Sequence, residues 1–449
     1  MNRTDRRARG YRPATESLEA RTVLSRLIAP PVELFHNVLF GTLGSQPLRP
    51  NTPVAPYAAA SNPTFIDPST AILAGGRIAV GARDYVAPYA LLDARLAQIQ
   101  VGSGTTVQDN ARVVAAGGGI ILGDNVYVAQ GASVLGQSVV GGPAGRATFV
   151  GANAVVDNAF IAPGAAVGAL ARVGPGVTIP AGVQVLPGAV VTTQAQVNAM
   201  TPGLVARIPA AGTPAAVPFA NLALALADAV ALSNGYTQLY QGNSATGASP
   251  GTTATTVFNG SLAPVEGASP SPGTPTLPAG NLASVSPRFP APNGRTLPAT
   301  DPFFPDRVIG AITFAEYPFA VARGLSRHDA IRADEATTVA FGRGLRLGQS
   351  VTIHPLNAQP AAPAGAPAPT PIGFIRAGSN LVVGDNAVLT ASRQSSLILG
   401  DDVRIGAGAV VDGSTIGSGA SIGQGAYVAN STVAPGQVVP PGATLVNRR

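Results

Sequence analysis

Few side chains in this chain could carry out chemistry. Its 449 residues hold three histidines, His36, His328 and His354, at unrelated positions, and no cysteine or lysine. Thiolate nucleophiles, disulfides and cysteine-bound zinc are therefore excluded. Schiff-base catalysis and a phosphate-binding P-loop lysine are excluded as well. The stretch GASIG (419–423) has the spacing of a serine-hydrolase elbow, but that motif requires a strand-to-helix turn and partners for Ser421. Here it spans the step from Ile416 to Ile422 in a repeating pattern, so it reads as a corner of that pattern. The recurrent glycines follow the same repeat and open no helix, which rules out a dinucleotide loop. In GDNVYVAQGASVLG (123–136), Asp124, Asn125, Gln130 and Ser133 are the polar residues between the apolar positions. None of them is a good acid, base or soft metal ligand.

The elements that would position such residues are set by a six-residue period, and internal repeats take priority over local secondary structure. Apolar anchors run Ile161, Val167, Val173, Ile179, Val185, Val191, with Val101, Val107, Val113, then Leu122, Val128, Val134, then Val150 and Val156 upstream. Ile66, Ile72, Val80, Val86 and Leu92 begin the series. A second run contains Phe341, Leu347, Ile353, Val383, Leu389, Leu399, Ile405 and Val411, and continues through Ile416, Ile422, Val428, Val433, Val439 and Leu445. Each hexad reads as a short strand plus a corner, with three hexads per triangular coil. Gly, Asn and Asp suit the tight bends. The fold expected is mainly β: two left-handed parallel β-helices, the left-handed form being a rare exception to right-handed parallel crossovers.

The domain plan follows. Residues 1–60 form a basic tail and lead-in, and 61–240 the first β-helix, closed by an α-helix over 217–240. Residues 241–306 are a linker rich in Ser, Thr, Pro, Gly and Ala. Residues 307–449 form the second β-helix, interrupted by a Pro/Ala-rich loop at 355–371. Much of the net charge of +6 lies in the tail, where Arg3, Arg6, Arg7, Arg9, Arg12, Arg21 and Arg26 face only Asp5, Glu16 and Glu19. With little aromatic interleaving the tail reads as solvated, and no nucleic-acid partner is expected. No transmembrane span is expected, because the apolar stretch 219–232 is short and contains Asp228. ESLEARTVLS (16–25) resembles a short N-terminal motif of some bacterial exported or surface proteins, and the compartment stays open between cytoplasmic and exported.

The order of motifs in the first half resembles that of the γ-class carbonic anhydrases and of the related amino-terminal domain of carboxysomal assembly proteins. It runs from FIDPSTAI (65–72) through VGSGTTVQDNARVV (101–114) and GDNVYVAQGASVLG to VTIPAGVQVLPGAVVTTQAQ (177–196). In the second half AIRADEATTVAFGRGLRLGQSVTIHPL (330–356) is similar, through its I-R-A-D-E phrase and later I-H. The resemblance implies a homotrimer with zinc at the subunit interfaces, held by three histidines from two neighbouring chains. The metal would lower the pKa of a bound water so that hydroxide attacks CO₂.

Carried over residue by residue, that chemistry is lost. In the first half the three ligand positions fall on Val114, Gln130 and Leu135, while Asp93, Arg95 and Leu96 replace the Arg and two acids. Only the Gln-Asp pair persists, as Gln108 and Asp109. Val and Leu cannot bind zinc, and a Gln amide oxygen is a poor ligand. In the second half Arg332, Asp334, Glu335 and His354 stand at the family's Arg, two acids and first His. Ala391 and Ser396 take the other ligand positions, and Gly348 and Gln349 replace Gln-Asp. His354 then reads as a polar residue at a coil corner or interface, a lone histidine seldom marking a site. The remaining candidates, Arg332, Asp334, Glu335, Gln108 and Asp109, read as interface ion pairs and hydrogen bonders rather than a proton relay.

The function expected is a structural, binding or assembly subunit without zinc, homotrimeric or pseudo-symmetric within one chain. One alternative is an active or partner-completed carbonic anhydrase, in which a related γ-class subunit supplies the missing ligands and zinc is bound. Another is an acyl-CoA-dependent acyltransferase, a second enzyme class that uses this fold.

Overall fold

The computed structural model describes residues 64–67, 70–142, 146–209, 308–310, 312–314, 329–333, 338–356, 374–391 and 395–447. The basic tail with its export-like motif, the helix expected at 217–240, the linker 241–306 and nearly all of the loop 355–371 lie outside these residues. So do His36, His328, Asp334 and Glu335.

The described residues form two parallel β-solenoids. In the first, successive strands step through three sheets, so that Tyr85–Val86, Leu91–Asp93 and Ile99–Val101 complete one triangular coil before Thr106–Val107 begins the next. We name these sheets faces A, B and C, with eight, seven and six strands. The second solenoid has faces D, E and F, with seven, six and five strands. Hexapeptide period and parallel stacking are those of the left-handed β-helix.

The anchors form the core. On face A, Val86, Val107, Val128, Val150, Val167 and Val185 are successive lateral partners. On face D the ladder runs Ile331, Ile353, Leu389, Val411, Val428, Leu445. Almost all are fully buried, each contributing roughly 1.5–3 kcal/mol. Ile72, Leu347 and Leu445 are only partly buried, and each lies on the outermost strand of its sheet among the described residues.

Small residues after the anchors let the coils approach. A Cβ on Gly151, next to Val150, would lie 2.5 Å from the Ala169 nitrogen and 2.7 Å from the Gly168 carbonyl carbon. At the corners Asn110, Asn125 and Asn153 adopt left-handed backbone with φ near 55–57°, a conformation Asn tolerates better than other side chains. The first solenoid ends in a short helix, Gln194–Asn198, with a capping box between Thr193 and Gln196. Strand Val205–Arg207 then pairs antiparallel with Val183–Val185. No helix among the described residues is long and apolar enough to cross a membrane.

The two solenoids pack on each other, face A against face D. Tyr85, Ala87, Tyr127, Ala129, Ala152 and Ala169 of the first bury themselves with Val388 and Val410 of the second. This seam extends to Gly188, where an added Cβ would lie 3.7 Å from Thr444 Oγ1.

Candidate functional site at the seam between the solenoids

Side chains alternate along a strand. On face D the residues that follow the inward anchors therefore point outward, towards face A. Arg332 follows Ile331 and His354 follows Ile353, and these anchors are lateral partners, so Arg332 and His354 are neighbours on one outward column. The next rungs are Thr390 and then Asp412.

Across the seam, Asp109 stands at the corner just beyond strand Thr106–Val107 of face A. Arg332 Nη1 donates to both Asp109 oxygens, at 3.0 and 3.2 Å. Arg332 Nη2 donates to the Tyr85 hydroxyl at 2.9 Å, and the guanidinium carbon lies 5.9 Å from the Tyr85 ring centre. His354 Nδ1 lies 3.0 Å from Asp109 Oδ2. Arg332, Asp109, His354 and Tyr85 are all 0% exposed.

Burial alone would raise the Asp109 carboxyl. The positive Arg332 and then His354 outweigh it and hold the group at about 2. A carboxylate bridging a guanidinium and an imidazole in a dry seam is a strong, directional clasp, and its cost is severe if one partner is removed. Further contacts flank it. Asn110 Nδ2 donates to Thr352 Oγ1 at 2.9 Å, and Asn153 Nδ2 donates to the carbonyls of Asn386 and Gly408 at 2.8 and 3.3 Å.

The candidate residues read from the sequence thus separate. Arg332, His354 and Asp109 come together from opposite solenoids. Gln108 is fully buried, yet neither atom of its amide has a hydrogen-bonding partner; its expected interface bond is not made among the described residues. Gln130 is buried with its Nε2 also unpartnered. Val114 and Leu135 are lateral partners of one another on face B, on a different sheet from the clasp, with Asp93 on the neighbouring rung. Asp93 pairs instead with exposed Arg95 at 2.8 Å.

Strand register fixes the position beside His354. Its lateral partner is Thr390, whereas Ala391 pairs with Pro355 and belongs to the hydrophobic core. Thr390 Oγ1 donates to the His354 carbonyl at 2.9 Å. Ser396 is half-buried, just before the face E strand Leu397–Leu399. Gly348 is half-buried and Gln349 exposed, the latter at a corner where its N–H donates to Asp385 Oδ1. No group of three or more His, Cys, Asp or Glu side chains placed to hold a metal occurs among the described residues.

The chain carries the hexapeptide-repeat β-helix fold. No family model matches it, and no curated protein does. Among solved structures it is similar to a hexapeptide transferase family protein from Anaplasma phagocytophilum, at 19% identity over 38% of this chain and 92% of that one, with a TM-score of 0.26. It is also similar to a putative acetyltransferase from Bacillus cereus, at 17% identity over 39% of this chain and 92% of that one, with a TM-score of 0.19. Neither likeness bears on what this chain does.

Tyr85 and Thr390 escaped the sequence reading. A signal for the first was present: the positions before three of the face A anchors carry Tyr85, Tyr127 and Phe149. Aromatic residues on the outward side of a strand mark a sheet face that something covers. Thr390 had no signal, because only the register identifies it.

Proposed function

We propose that this is a γ-carbonic anhydrase-like β-helix protein that has lost its zinc centre and serves as a structural, binding or assembly subunit. One observation carries the reading. His354, where the resemblance puts the first zinc ligand, has its Nδ1 engaged by Asp109, its ladder neighbour is a threonine, and the clasp is completed by Arg332. A site used for coupling two solenoids accounts for the retention of Arg332, Asp109 and His354 alongside apolar Val114 and Leu135. Face A meeting face D is a heterologous contact, so it supports a pseudo-symmetric arrangement in which the two solenoids stand as neighbouring lobes.

The test is zinc content by mass spectrometry together with CO₂ hydration by the purified chain, alone and mixed with a γ-class carbonic anhydrase subunit. The expected outcome is no stoichiometric zinc and no hydration attributable to this chain in either sample. Stoichiometric zinc with hydration activity overturns the reading, and zinc gained only in the mixture replaces it with the partner-completed enzyme. Light scattering after size exclusion reads the number of chains in the assembly.

A further inference from the structure

An apolar side chain on an uncovered sheet face keeps contact with solvent, and face B shows it: outward Val114, Leu135 and Val155 are all half-buried. Face C differs. Its outward column runs Ala79, Gln100, Ile121, Val139, Phe160, Thr178, each one residue before an inward anchor. Phe160 is 40% exposed, yet Ile121 is 1% exposed and Gln100 5%. Ile121 does not owe this to the solenoid core. Its chain neighbours Ile120 and Leu122 lie in that core, and alternation turns Ile121 the other way. It is absent from the cluster between the two solenoids as well. Gln100 Oε1 is buried without a partner among the described residues, an acceptor at the same spot that calls for a donor from outside the sheet.

The chain carries a segment that fits this face. Ile208 N donates to the Gly182 carbonyl at 2.8 Å, and Gly182 lies between Thr178–Ile179, the last strand of face C, and Val183–Val185 of face A. The described chain therefore leaves the first solenoid at the rim of face C. Shortly after comes the apolar stretch FANLALALADAVAL (219–232). On a helix Phe219, Leu222, Leu226 and Val230 fall on one stripe, with Asn221 and Asp228 opposite. Such a helix would be roughly 21 Å long, and the rungs from Thr178 to Gln100 span roughly 19 Å. The apolar stretch before the first solenoid, LIAPPVELFHNVLF (27–40), fits less well, because Pro30 and Pro31 interrupt it.

We propose that residues 219–232 form a helix that lies back along face C, its apolar stripe on Ile121 and Val139. Its far end brings Ser233 and Asn234 to the rung of Gln100. With face D on face A and this segment on face C, face B is the face of the first solenoid left open to another chain. This inference is independent of the loss of zinc.

Hydrogen exchange of the full chain, read by mass spectrometry, tests the cover. Amides of 219–232 should exchange at least about tenfold more slowly than those of the linker 241–306. I121R should abolish that difference, while peptides containing Val107 and Ile353 keep their protection. The chain has no cysteine, so spin labels in T178C/A220C and T178C/A231C, diluted with unlabelled chain, read the direction. The second distance should exceed the first by about 15 Å. Exchange of 219–232 as fast as the linker overturns the proposal, as does protection that I121R leaves intact. Protection lost from 27–40 in place of 219–232 overturns it in favour of the earlier stretch. Equal or reversed distances overturn it even if I121R does not fold, and distances lost on dilution overturn it in favour of a second copy's segment.

Discussion

Asp109 and Asp412 are the same residue type in the same seam, and their carboxyls move in opposite directions. Asp109 is 0% exposed and held at about 2, while the half-buried Asp412 is raised to about 7. Burial acts on both in the same sense. The difference is the partner: Asp109 has a guanidinium at 3.0 Å and an imidazole at 3.0 Å, and Asp412 has neither. One seam therefore has an ionic end and an apolar end.

The contrast breaks most directly at Arg332. Replacing it with methionine keeps much of the side-chain volume and leaves Asp109 buried with only His354. The loss of stability expected is about 3–5 kcal/mol, read by denaturant unfolding at pH 7. R332M together with D109L should recover much of that loss, since an apolar pair removes the stranded charge; failure to recover any of it would mean that Arg332 acts by shape alone.

Acid reads the same pair. The Asp109 carboxyl is lower folded than unfolded, so its stabilisation is complete above about pH 4 and is lost as pH falls through about 2. The shift corresponds to about 2 kcal/mol. Asp412 works in the opposite sense between about pH 4 and 7. Relative to a variant carrying both D109N and D412N, the parent should be most stable near pH 4, falling away on either side in equilibrium unfolding.

Two smaller changes sharpen the boundary of the ionic end. Y85F removes the oxygen that accepts from Arg332 Nη2 while keeping the ring beneath the guanidinium. It should cost about 1.5–2 kcal/mol, and much less in the R332M background, where a double-mutant cycle isolates the coupling. N153G keeps the left-handed corner available and deletes only the bonds to Asn386 and Gly408. A loss of about 0.5–1 kcal/mol is expected, with N153A costing about 1–2 kcal/mol more because alanine is strained at that φ.

Much of the scaffold was legible because the hexad repeats a local rule. Val101, Val107 and Val113 had to be buried, since each six-residue step returns an anchor to the inside of the coil. The candidate site was legible only as residue types. Arg332, His354 and Asp109 could be named, but nothing in the spacing said that the first two meet Asp109, which lies more than 220 positions away on the other solenoid. Gln108 shows the limit from the other side. It stands next to Asp109 in the chain, yet its amide finds no partner, since adjacent residues at a coil corner point in different directions. Thr390 and Ala391 show how adjacent residues of one strand divide between an outward position and the core.

The sequence by itself determined the repeat, the two solenoids, the anchors that fill them and the absence of cysteine and lysine chemistry. These follow from periodicity and composition, which act over a few residues. Tertiary structure alone decided that face A lies on face D, that His354 is held by Asp109, and that Asp109 and Asp412 titrate in opposite directions. A carboxylate's energy depends on the water it loses and the charge it meets, and both are supplied by a surface hundreds of residues away in the chain.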